Sequence, residues 1–302
     1  MKEFQNMKLI DLCILGTHDS GAYKVTKSVN AIEPSGIPII CNPIIKKWSI
    51  TQKFDITSQL NLGVRYFDLR IRKYTNENKF QEYKQQGDQP IYIVHSLLGL
   101  PLNHIFRQIH QFLNNHPTEV VLIDINHDYY DSADSAYNFN TDDIELVKQM
   151  IKTEFDTHLS TQIDLPINTI TQFGRLGKAI VFYRNGEKDK ILPSNCICSK
   201  WPNKDNFTGV QRYIINNCMT YTDGQNWYSK PTVQQLIKTP GLKQIFTRWS
   251  LKTYEDSDKN NFFRFFRENA AIFNIFIIDF INETRGNEYL NFVILENRRR
   301  KK

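Results

Sequence analysis

Cysteine is scarce in this chain: five in 302 residues (Cys13, Cys41, Cys196, Cys198 and Cys218), unevenly spaced. That is too few for a disulfide framework, and no CxxC pair or Cys/His cluster has the spacing of a zinc site. The odd count favours a reducing, cytoplasmic setting. No apolar run approaches the ~20 residues of a spanning helix, and residues 1–10 show no apolar core of a secretory signal. A strong excess of one charge is also missing. The net charge is +6, and the last five residues are all Arg or Lys, so the rest of the chain is close to balanced. A nucleic-acid binder spreads positive charge over a face, which argues against that class. The basic tail, 298–302, reads as a frayed, solvated end or as a contact for an anionic membrane. No G-x-G-x-x-G, Gx4GK[ST] or G-x-S-x-G element occurs, which removes the common nucleotide loops and the hydrolase elbow. Nor is there a repeat or low-complexity linker, so residues 1–302 are expected to form one domain.

What the chain has instead is a series of short Ile- and Val-rich runs, each ending in polar residues. Residues 9–16 (LIDLCILG) lead to Thr17, His18 and Asp19, and residues 64–71 carry Asp68 and Arg70. Residues 91–94 lead to His95, and 120–125 (VVLIDI) to Asn126, His127 and Asp128. Residues 179–183 lead to Arg184, and 275–278 to Asp279. Runs without alternation are what a parallel sheet covered on both faces requires. Between them, 103–115 and 142–155 carry apolar stripes at helical spacing. Strand–helix alternation of this kind predicts an α/β fold, a TIM-like (β/α) barrel, distorted or incompletely closed. Residues 194–269 show no pattern that places strands.

In such barrels, polar residues at the C-terminal strand ends build the site. Histidines, aspartates and arginines gathered there suit phosphoryl or glycosyl chemistry better than redox work. The segments LGTHDSGAY (15–23), QLNLGVRYFDLRI (59–71), IYIVHSLLG (91–99) and EVVLIDINHDYYD (119–131) resemble the X-type catalytic domain of phosphatidylinositol-specific phospholipase C. IIDFINE (277–283), followed by a short helix to residue 297, resembles the closing segment of the bacterial enzymes; KWSITQKFDITSQL (47–60) is similar to small eukaryotic X-domain relatives.

The resemblance implies a phosphoric diester hydrolase or lyase acting on phosphoinositide lipid. His18 would be the general base, taking the proton of the inositol 2-hydroxyl, and His95 the general acid at the departing glycerol oxygen. Asp279 would orient His18, Asp19 would work with the acid, and Asp68 would lie beside the attacking hydroxyl. Arg70 stands where calcium-dependent relatives carry an acidic ligand, and a guanidinium there implies charge neutralisation without a metal. Calcium is therefore disfavoured, although Asn126 and His127 replace the lysines of the bacterial enzymes and match neither group. Arg184 would contact the inositol ring or a ring phosphate. Tyr213 is the nearest match for a ring-stacking tyrosine, and the adjacent Arg212 would favour extra phosphates. The expected partner is a membrane surface, met peripherally by a monomer. The apolar, lysine-containing stretch 35–48, read as a loop, would touch it, whereas FFRFF (262–266) reads better as a buried helix face. A metal-dependent glycerophosphodiester phosphodiesterase and a catalytically dead inositol-lipid-binding module are the rival readings.

Overall fold

The structure, a computed structural model, describes residues 2–26, 42–74, 80–125, 139–160, 165, 168–173, 177–184, 186, 190–222 and 230–301. In chain order the elements are β1 (Ile14–Thr17), α1 (Asn42–Ser49), α2 (Ile56–Asn61), β2 (Tyr66–Leu69), β3 (Ile71–Lys73), β4 (Ile91–His95), β5 (Leu97–Pro101), α3 (Leu102–Asn115), β6 (Val120–Ile125) and α4 (Thr141–Phe155). They continue with β7 (Lys178–Tyr183), β8 (Ile191–Leu192), β9 (Cys198–Lys200), α5 (Phe207–Thr222), β10 (Thr232–Gln235), α6 (Leu242–Thr247), α7 (Leu251–Asp256), α8 (Lys259–Glu268), β11 (Ile275–Ile278) and α9 (Glu283–Arg300).

Eight strands form one curled parallel sheet in the order β8-β7-β6-β2-β1-β11-β10-β9. Among the described residues β8 and β9 do not pair, so the sheet is a TIM-type barrel left open along one seam. Residues alternate between two cores, as the two-residue strand period requires. Ile14, Tyr66, Leu122, Ile180, Phe182, Val233, Ile275 and Ile277 fill the interior. Leu15, Phe67, Leu69, Val121, Ile123, Val181, Phe276 and Ile278 face the helices. The predicted stripe of α3 is buried at Ile105, Phe106, Ile109, Phe112 and Leu113. Asn140 and Asp143 start α4 with reciprocal side-chain to backbone hydrogen bonds.

Several expectations are corrected. Residues 91–94 are a strand, but β4 runs antiparallel between β3 and β5 in a separate three-stranded sheet. Only Ser96 separates β4 from β5, and a parallel return needs a crossover of a dozen residues or more. The run 64–71 breaks at Arg70, its first part joining the barrel and its second the small sheet. Of the run 9–16, only 14–16 are strand, continuing to Thr17; Leu9–Asp11 is a tight 3-10 turn. Residues 42–49 of the supposed loop are helix α1, and 35–41 lie outside the described residues. Pro43, in the first turn, supplies a φ already suited to a helix. Arg298, Arg299 and Arg300 are not frayed: they end α9, pairing with Glu3 and Glu296. The helix reading of FFRFF holds, with Phe262, Phe265 and Phe266 of α8 buried.

Candidate active site

Strand parity decides which side chains enter the barrel mouth. Continuing the interior series past the strand ends, 14-16 leads to His18, 66-68 to Arg70, and 275-277 to Asp279. The small sheet brings His95, the last residue of β4, in from the side. Three of these four strand ends carry a residue in left-handed backbone: Asp19 (φ 41°), Ser96 (φ 56°) and Phe280 (φ 51°). Non-glycine residues hold that conformation only where surrounding bonds over-determine it. Here the Asp19 carbonyl accepts from Thr51 Oγ1 at 2.9 Å, and Phe280 N donates to the Thr51 carbonyl at 2.7 Å.

His18 Nδ1 lies 2.9 Å from Asp279 Oδ1, and Arg70 Nη2 lies 2.9 Å from His18 Nε2. Because a guanidinium only donates, this contact makes Nε2 the acceptor and leaves the ring proton on Nδ1, facing Asp279. Asp19 is the hub. Its Oδ1 is 2.6 Å from Arg70 Nε, and its Oδ2 is 3.2 Å from both His18 Nε2 and His95 Nε2. Among the described residues neither buried Asp19 oxygen receives a well-directed hydrogen bond. The two imidazoles stand edge to face, ring centres 6.3 Å apart. Asp68 Oδ2 accepts from Asp19 N at 3.1 Å and lies 3.9 Å from Arg70.

Burial sets the electrostatics. It pushes His18 down to about 4 despite the opposing pull of Asp19, and His95 down to about 4, with Arg70 adding to the effect. Both rings are therefore held neutral at pH 7. Burial also holds the carboxyls of Asp68 and Asp279 above the usual range.

Two glutamines brace the site, neither of them singled out from the sequence. Gln52 Nε2 donates to the carbonyls of His18 at 2.9 Å and Ile278 at 3.0 Å, locking β1 and β11 together beside the ends that carry His18 and Asp279. Gln59 accepts from Thr17 Oγ1 at 2.7 Å and donates to the Ser20 carbonyl at 2.9 Å. Both are fully buried.

No family model matches the chain. It is 34% identical over 251 residues to PI-PLC X domain-containing protein 2 of Homo sapiens, spanning 80% of this chain and 75% of that protein. The chain belongs to the PI-PLC X domain-containing proteins. A second relative of this X-domain chain is the variant-surface-glycoprotein phospholipase C of Trypanosoma cruzi, 23% identical over 267 residues, covering 80% of this chain and 65% of that one. In fold it is similar to phosphatidylinositol-specific phospholipase C from Listeria monocytogenes, with a TM-score of 0.65 at 16% identity over 97% of this chain and 95% of that one.

Of the residues expected at the X-domain site, His18, Asp19, Asp68, Arg70, His95 and Asp279 converge. Arg184 follows β7 in the interior parity and is partly exposed. Asn126 and His127 lie outside the described residues. Tyr213 is not brought to the cluster; it sits on α5 and lines a separate small cavity with Cys198, Lys200 and Pro202. Arg212 is on the exposed face of that helix. His18, Asp19 and Asp68 place ligand atoms within 4.8 Å of one another. Calcium wants six to eight oxygens, whereas this trio offers two carboxyls and an imidazole with the Arg70 cation already on Asp19. The described residues do not fit a calcium cage.

Proposed function

We propose that the chain is a phosphatidylinositol-specific phospholipase C working without a metal. The observation that carries this reading is the pair of imidazoles facing one shared carboxylate oxygen, with a guanidinium against the first. His18, whose Nε2 is an acceptor held by Arg70 until substrate takes that place, receives the proton of the inositol 2-hydroxyl. That oxygen attacks phosphorus, and the bond to the glycerol oxygen breaks. His95 gives the leaving oxygen its proton, so diacylglycerol departs neutral and inositol 1,2-cyclic phosphate forms. Arg70 offsets the charge growing on the phosphoryl oxygens. Asp279 stabilises the imidazolium formed at His18, as the third member of a hydrolase triad does.

The ligand-free pKa values explain the order of events. His95 is neutral before substrate arrives, so the anionic phosphodiester, together with Asp19, draws the proton onto it. The two Asp19 oxygens lack directed donors beforehand and accept one when His95 becomes charged.

The rim beside this site suits a lipid surface. Ile44 of α1, Phe246 of α6 and Trp249 are 51%, 83% and 75% exposed. Lys47 Nζ sits 3.6 Å over the Trp249 ring, with Lys46, Lys243 and Arg248 nearby in sequence. Apolar tips among cations insert into a headgroup layer and attract anionic lipid. Among the described residues no helix is long and apolar enough to cross a membrane. This peripheral contact is the role proposed for the protein at a cytoplasmic membrane face.

Turnover of phosphatidylinositol in mixed micelles, with and without EDTA, tests the reading. Equal production of cyclic phosphate in both is expected. Activity abolished by chelator and restored by calcium would favour the metal-dependent rival, and no turnover under either condition a binding module.

A further inference from the structure

One carboxyl in the barrel mouth has no part in the chemistry above. Asp124 stands on β6 directly opposite Asp68 of β2 in the sheet register. It shares the interior parity of Leu122, and at 7% exposure it is as open to the mouth as Asp68 at 7% and His18 at 8%. The Tyr66 hydroxyl donates to its Oδ2 at 2.7 Å. Gly16 makes that reach possible, because a Cβ there would meet Tyr66 Cδ1 at 2.8 Å. Asp19 and Asp68 both have Arg70, and Asp279 has His18. Asp124 has no cation against it among the described residues. Burial and the neighbouring Asp68 push its carboxyl up to about 7. A buried carboxyl without a counter-charge costs stability. A fold that keeps one beside its reacting atoms needs a reason other than folding, and a donor brought by a ligand supplies it.

We propose that Asp124 is a substrate-binding residue that accepts hydrogen bonds from inositol hydroxyls other than the attacking one, and so selects headgroups unphosphorylated at those positions. This rests on the phospholipase reading. Asp68 lies beside the attacking hydroxyl in that reading, and Asp124 is one strand spacing away, about 4.8 Å, within reach of the same six-membered ring. Ring hydroxyls bring protons that a carboxyl can accept, whether Asp124 is ionised or neutral, since one oxygen remains an acceptor. A ring phosphate brings only further negative charge and acceptors, which the Asp68–Asp124 pair repels. The chain thus has a source of discrimination opposite to the one Arg212 would have supplied, and Arg212 itself is exposed on α5.

The test compares two substrates with Asp124→Ala and Asp124→Asn. One is phosphatidylinositol; the other carries a cis-2-hydroxycyclohexyl headgroup, which keeps the attacking hydroxyl and lacks the rest. Asp124→Ala is expected to lower kcat/KM on phosphatidylinositol about 10- to 100-fold, the scale of one or two hydrogen bonds to a charged group. On the truncated substrate the loss should stay below about 3-fold, since the contact is already gone. Asp124→Asn should raise turnover of phosphatidylinositol 4-phosphate relative to phosphatidylinositol. Equal losses on both substrates, or none on either, would overturn the assignment. If the unmodified protein cleaves neither, the phospholipase reading fails separately. Binding of myo-inositol, followed by saturation-transfer NMR, then decides for Asp124: weaker binding by Asp124→Ala supports the contact, and unchanged or absent binding refutes it.

Discussion

The carbonyl oxygen of Ser49 accepts the Nδ1 proton of His95 at 2.9 Å. That bond fixes the tautomer, turning Nε2 toward Asp19, and it comes from the last residue of α1, the helix that carries Ile44 and Lys47 to the rim. One short helix therefore sets both the proposed acid and part of the edge proposed to meet lipid. His95→Ala and His18→Ala are each expected to lower kcat about 10²–10⁴-fold with the fold intact by circular dichroism. A substrate with a good leaving group should restore His95→Ala in part and His18→Ala hardly at all, because only the leaving oxygen's need for a proton is relieved.

Arg70→Lys should lose most activity in EDTA. A flexible ammonium cannot keep one nitrogen on Asp19 and another on His18 as the planar fork does. Retention of near-native kcat/KM by Arg70→Lys would show that only a positive charge is needed there.

The pH dependence should be displaced toward acid. With His18 held near 4 in the free protein, its base form persists far below the ordinary histidine value. Activity is therefore lost as pH falls through about 4, and the acid limb of kcat/KM, measured on monomeric substrate, should lie there rather than near 6.5.

Gln52→Ala removes a side chain that fills two carbonyl lone pairs and accepts from Ile281 N at 3.3 Å. Stranding those groups should cost about 2–4 kcal/mol in urea unfolding. Activity should fall mainly in kcat, because the His18–Asp279 alignment suffers more than binding does.

Asp124→Asn should stabilise the protein in alkali. A carboxyl raised to about 7 contributes stability that is fully present below its unfolded value near 4 and is lost as pH rises through 7. The neutral amide has no such loss. The variant's Tm should match the unmodified protein at pH 4 and exceed it by a few degrees at pH 8, the exchange of function for stability expected at a binding site.

Much of the site was legible because barrel chemistry follows strand ends. His18 and Asp279 follow apolar runs, Asp68 and Arg70 lie within one, and parity carries all four inside. His95 was found by the same rule, but its strand was assigned to the wrong sheet. A buried run such as IYIV looks alike in either direction, and only the absence of room for a crossover before LLGL reveals the turn. Asp124 was passed over although, like Asp68, it lies inside an apolar run; an acid at an even offset within VVLIDI was the available signal. Gln52 and Gln59 sit in helical or irregular chain whose role depends on carbonyls more than 30 residues away, which no local pattern encodes.

The seam between β8 and β9 has a mechanical meaning. A closed ladder fixes the circumference of its lumen, and any widening must break hydrogen bonds. In the order β8-β7-β6-β2-β1-β11-β10-β9, the strands leading to Asp68, His18 and Asp279 occupy the middle, and the edges unpaired among the described residues lie at the two ends of the order. The sheet behaves as a split ring. Widening the lumen at that gap breaks no strand ladder among the described residues, so the register of the three central strands does not oppose it.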